Sequence, residues 1–258
     1  MGIQTVRTIL VLAALVPAGG QWLRYPSPGT PRTKDGRPNL SAPAPKTPQG
    51  HPDLSGIWLV DDAKYFFDLA ADLPPDAVHF QPWAKALSEQ REDNLHKDDP
   101  LALCMPPGVP RANTNINFPF KIIQTPQVVV MLYETSSIPV FRQVFMDGRP
   151  LPPDPQPTWS GYSVGTWEGG VLKVDTGGFN DRGWIDTSKG HPQSDALHVT
   201  ERFRRLDFGH LEIAITIDDP KAYTQPWTAK VRLHLLPDTE LLETVCENPK
   251  DAQHMVGK

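Results

Sequence analysis

No stretch of this 258-residue chain strings together the ~18 apolar residues that a membrane-spanning helix needs, so none is expected in the mature chain. Positive charge is also in short supply. Lys and Arg number 25 against 30 Asp and Glu, and the main basic cluster, Arg202, Arg204 and Arg205, lies on one expected strand. Binding to a phosphate backbone needs a basic stripe, so nucleic acid is set aside as a partner. The eight histidines include no H-E-x-x-H, no H-x-H and no paired Cys/His spacing, so neither a metal nor any other cofactor is expected. Cysteine is limited to Cys104 and Cys246. They either pair across most of the domain, as an oxidising compartment allows, or stay two buried thiols.

What the chain does have begins with an address. Arg7 is followed by an uncharged, mainly apolar run, Thr8 to Ala18, that is too short to span a bilayer and ends in compact residues. Residues 1–20 therefore read as a signal peptide, which implies a periplasmic or extracellular protein. Residues 21–52 hold eight prolines and little that is apolar after Leu23, the composition of an extended arm. An internal echo runs through that arm. Thr33-Lys-Asp-Gly-Arg-Pro-Asn-Leu-Ser41 returns as Thr47-Pro-Gln-Gly-His-Pro-Asp-Leu-Ser55.

Residues 53–258 read as one mainly β domain. A single helix is expected near 82–97, where Pro82 suits a first helical position and Trp83, Ala84, Leu87 and Leu95 recur at roughly helical spacing. From Phe118 onward the period changes to two, giving about nine or ten strands separated by short turns such as Asp147-Gly148 and Glu168-Gly169-Gly170. The last four expected strands are 197–206, 211–217, 227–236 and 241–246. Strands without alternating helices exclude a doubly wound fold and leave an up-and-down antiparallel barrel or a β-sandwich. Gly56-Ile57-Trp58 at the first strand is similar to the opening of lipocalin-type barrels, which favours the barrel.

Longer stretches carry a wider likeness. Residues 21–32, Pro52–Trp58, Asp147–Pro150, Gly165–Gly169, Gly178–Asp181 and Asp219–Trp227 resemble a family of secreted proteins of uncharacterised activity found in acidobacteria and related soil bacteria. The resemblance covers nearly the whole mature chain and implies export and a lipocalin-like β fold. Members read Cys-His-Glu-Gly-Asn near the end. Here Cys246-Glu247-Asn248 is shorter and lacks that histidine, so no role for it carries over.

Several constellations could carry chemistry. Gly161-Tyr-Ser163-Val-Gly165 fits the G-x-S-x-G pattern, but that motif needs a helix directly after the serine and a further strand follows instead. The loop 179–191 offers Asn180, Asp181, Trp184, Asp186 and His191, enough for acid–base work on a bound molecule, or else a polar loop turned by its own Asn and Asp side chains. Strand 197–206 places Glu201 on the same face as Leu197, Val199 and Phe203. A carboxylate there needs a partner, and Arg142 is a candidate. Trp159, Tyr162, Trp167 and Trp184 together suit a platform for stacking on a sugar.

The expectation is an exported barrel that takes a small molecule in its interior, with Glu201, Arg142 and the 179–191 loop near the mouth. Two alternatives stay open. One is a cofactor-independent hydrolase, lyase or isomerase using Glu201, Asp181, Asp186 and His191. The other is a module that docks on the envelope through its arm.

Overall fold

The computed structural model describes residues 25–135, 141–244 and 246. The expected leader and its cleavage point lie outside them. Nine strands close into a barrel: β1 (Gly56–Val60), β2 (Phe120–Gln124), β3 (Val128–Tyr133), β4 (Phe141–Phe145), β5 (Tyr162–Glu168), β6 (Val171–Gly177), β7 (His198–Arg205), β8 (His210–Asp218) and β9 (Trp227–Leu235). Alternation drives the closure. In β8 the residues Leu211, Ile213, Ile215 and Ile217 are wholly buried while the side chains between them are not. Every other strand repeats that pattern in part, and β1 meets β9 with Trp58 opposite Leu235, which leaves no free edge.

The meander has one irregular step. β5 runs parallel to β4 and pairs with it only at Val144–Ser163 and Phe145–Val164. Parallel neighbours need a long connection, and residues 146–161, with five prolines, supply one in place of a hairpin. The expected strand over 241–246 does not form. Residues 241–244 are irregular, and Cys246 is bonded to Cys104 with the Cα atoms 5.7 Å apart.

Two helices and the 178–197 loop cover one end of the barrel. The expected helix is α2 (Pro82–Asp93), and a shorter one, α1 (Lys64–Phe67), precedes it. α2 ends before the 97 expected because Leu95 and His96 take positive φ. Its buried side is Ala84 and Ser88, whereas Trp83 and Leu95 are exposed.

The arm, from residue 25, folds back on the barrel rather than extending from it. Both copies of the echo make the same turn: Thr33 N–H bonds Arg37 O and Asn39 N–H bonds Pro31 O, as Thr47 N–H bonds His51 O and Asp53 N–H bonds Pro45 O. Gly36 and Gly50 sit at φ 81° and 86°, where a side chain would be strained. Each turn then delivers a leucine. Leu40 packs against the core so closely that a Cβ on Gly209 would lie 2.4 Å from its own Cβ, and Leu54 is wholly buried.

Candidate functional site

Inside the barrel, four neighbouring strands point polar side chains at one another. Arg142 of β4 donates through Nη2 to Glu201 of β7 at 2.5 Å and to Thr176 of β6 at 2.8 Å, and through Nε to Ser163 of β5 at 3.0 Å. The second Glu201 oxygen accepts from Asn113 Nδ2 at 2.6 Å, and Tyr133 donates to Asn113 Oδ1 at 2.9 Å. All of these side chains are buried. Burial works to lower the Arg142 pKa, but the charges and hydrogen bonds of Glu201 and Tyr133 together outweigh it and the net shift is upward.

The partner expected for Glu201 is thus the one observed. Beside this network stand the buried Met131, Val174, Val199 and Phe203. Glu201 borders none of the four cavities described. Ser163 is 1% exposed, lies in mid-strand and spends its hydroxyl on Arg142 and Thr176, so it is no nucleophile elbow.

The capped end holds a second cluster. Gly183, Trp184, Ile185 and Asp186 are buried against α1 and α2, pinned by Thr187 N–H to Phe66 O and by Ser88 Oγ to Lys189 O. This anchoring turns Asp186 inward. Its Oδ2 accepts from Leu69 N–H at 2.9 Å and lies 2.5 Å from His191 Nδ1, while Oδ1 accepts from His191 N–H at 3.2 Å. The imidazole is stacked on Phe80 at 5.4 Å and lies 5.4 Å from the Trp227 ring. Nε2 has no protein partner among the described residues.

His191 also lines a cleft of about 380 Å³ between the 68–80 segment and α2. Asp68, at the end of α1, shares that lining. Burial, then the charge of Asp186, raises the Asp68 pKa above the usual carboxylate value. For His191 burial opposes the proton, but the charge and hydrogen bond of Asp186 prevail and the pKa is raised. The arrangement presents one oriented imidazole, backed by a carboxylate, to a space the size of a small molecule.

The remaining candidates scatter. Asp181 is exposed and no bond of its side chain is seen among the described residues, whereas Asn180 Oδ1 accepts from Arg182 N–H at 3.1 Å, so of the side-chain turn that was the simpler reading the Asn180 half forms. The four aromatics do not form one platform. Trp159 and Tyr162 line a cavity of about 300 Å³ on the β4–β5 flank, Trp167 stacks on His51 beside another, and Trp184 is buried under Arg91. Sequence reasoning missed Asp68, Asn113, Tyr133 and Thr176. The alternation of β3 and β6 marks Tyr133 and Thr176 as inward, whereas nothing local marks Asp68 or Asn113.

Fold and site together define a class: a capped, closed nine-stranded barrel with a His–Asp dyad at its covered end. No protein-family model matches the chain, and no curated protein or solved structure matches it.

Proposed function

We propose that this chain is a small-molecule-binding β-barrel protein whose ligand occupies the cleft at the capped end and not the barrel's interior. One observation carries the reading: His191 lines the cleft, is oriented by Asp186, and keeps a nitrogen free of protein partners among the described residues. Size alone would favour the cavities of about 480 and 560 Å³ beside the arm, but neither has an oriented, buried titratable pair in its wall. Apolar Val78 and Phe80 with a few polar groups give the cleft the usual make-up of a ligand site. The leader pattern and the Cys104–Cys246 bond support export to the periplasm or beyond, where disulfides persist.

The same dyad favours a second reading, in which the bound molecule is also turned over by acid–base chemistry with His191 as the group that exchanges the proton. Docking through a free arm loses its support, since residues 25–52 pack on the chain's own barrel. A ligand-observed NMR screen with a library of small polar fragments separates these cases. Hits are expected to vanish in His191→Gln and survive in Trp159→Ala on the flank. The reverse pattern would move the site to the flank, and consumption of a hit by the wild type alone would establish turnover.

A further inference from the structure

We propose that Asp68, Asp186 and His191 together hold one divalent transition cation of the zinc or manganese class in the wall of this cleft. The inference rests on the cleft being the ligand site and adds to it the cofactor that would anchor the ligand. It runs against the sequence expectation, which looked for ligands at short spacing. Here two donors are five residues apart and the third arrives from α1, so only the fold assembles them.

Geometry is the first support. One oxygen from each carboxylate and one imidazole nitrogen lie within 4.8 Å of one another. Donors on a tetrahedral zinc-sized cation stand about 3.4 Å apart, from bonds of about 2.0–2.2 Å. The widest separation must close by about an ångström, and the 2.5 Å contact between Asp186 and His191 Nδ1 must open as its shared proton leaves to solvent. Asp68 can supply that movement, since its side chain is only half-buried and one carboxylate oxygen, Oδ2, has no protein partner among the described residues.

Charge is the second support. The two lysines of the cleft are already engaged, Lys189 with Glu92 at 2.7 Å and Lys85 with Glu89 at 3.8 Å. Asp68 has no Lys or Arg partner among the described residues. The cleft is therefore left with an acidic surplus that attracts a cation. Donor type is the third. One imidazole with two carboxylates suits zinc or manganese, whereas magnesium favours oxygen ligands alone and retains its waters. Asp186 is also braced by backbone N–H groups of Leu69 and His191, the kind of support that holds metal ligands in place. Three protein donors leave coordination positions open for water or an oxygen of the bound molecule, the pattern of catalytic rather than structural sites.

The test is equilibrium dialysis of the full mature chain, stripped with chelator, against ZnCl₂, MnCl₂ and MgCl₂, with bound metal measured by mass spectrometry. One equivalent of zinc or manganese is expected, held at least ~tenfold tighter than magnesium, with Asp68→Asn and His191→Gln each weakening it by ~tenfold or more. His234→Gln, at an exposed histidine paired with Asp61, is expected to change nothing. Asp68→Asn keeps the test decisive if His191→Gln fails to fold. No stoichiometric binding to the wild type, or binding that Asp68→Asn leaves intact, overturns the proposal. Repeating the fragment screen in chelator keeps the two readings apart: hits that persist while zinc does not bind remove the cation and leave the cleft as the ligand site.

Discussion

Arg142 and Glu201 are two full charges taken out of water and joined at 2.5 Å inside the barrel. Removing one partner strands the other. Glu201→Gln is therefore expected to destabilise the fold by about 3–5 kcal/mol, read as a lower midpoint in urea. The double change Arg142→Met with Glu201→Leu should recover most of that loss, because it leaves no uncompensated charge. A double variant as unstable as the single one would show that the hydrogen bonds, and not the charges, dominate. His191 belongs to a different kind of site. It lines a cavity, and its Nε2 has no protein partner among the described residues, which is why it, and not Glu201, carries the functional reading.

Among the elements, the arm departs most from its composition. Eight prolines and few apolar residues suggest a free tether, yet two leucines placed by two identical turns are enough to dock it. Its far end is held by charge. Arg32 grips Asp238 through two hydrogen bonds of 2.6 and 2.8 Å, and Asp238 also accepts from Ser27 N–H. The Arg32 hydrogen bond is the main cause that holds the Asp238 pKa below its ordinary value of 3.8. A depressed carboxylate favours the docked state above that ordinary value, and the contribution is lost as pH falls through the lower folded value. Amide exchange at Ser27, corrected for its intrinsic rate, should thus lose protection below about pH 4. Asp238→Asn should give weak protection that no longer depends on pH in that range. Because the pair is largely exposed, the effect is confined to the arm and should leave the barrel's melting unchanged.

For the whole molecule, the Cys104–Cys246 bond spans a sequence separation of 142 and ties the chain's end to the connection leading into β2. Constraining so long a loop in the unfolded chain stabilises the fold by roughly 5 kcal/mol in the chain-entropy view. Reduction, or Cys104→Ser, should lower the urea midpoint accordingly while the β-sheet signal in circular dichroism persists. Loss of the barrel itself on reduction would mean that the bond is needed to form the closed sheet. Closure also sets the division between interior and site. With β1 joined to β9, the four cavities described lie at the capped end, beside the arm and on the β4–β5 flank, and Glu201 borders none of them.

How much of this was written in the amino-acid order depends on range. Side-chain alternation is a local property, so the strands and the inward Glu201 could be read from residues next to one another, whereas Arg142, 59 residues away, could be named only as a candidate partner. The same holds for the rejection of Ser163 as a nucleophile, which needed only the strand that follows it. The parallel β4–β5 step was legible too, in the proline-rich 146–161 segment, but a rule of short turns hides it. Other features needed the fold. Asp68 meets Asp186 and His191 only because α1 and the 178–197 loop pack over the same barrel end, and no spacing within the chain encodes that meeting. The scattering of Trp159, Tyr162, Trp167 and Trp184 has the same cause: neighbours in sequence point to different faces of a strand or enter different layers. Sequence by itself determined a mainly β domain with a carboxylate, Glu201, on an inward strand face, because those follow from period and polarity. Only the tertiary structure decided that Glu201 is paired with Arg142 and that Asp68, Asp186 and His191 meet at the covered end, because both depend on contacts between segments far apart in the chain.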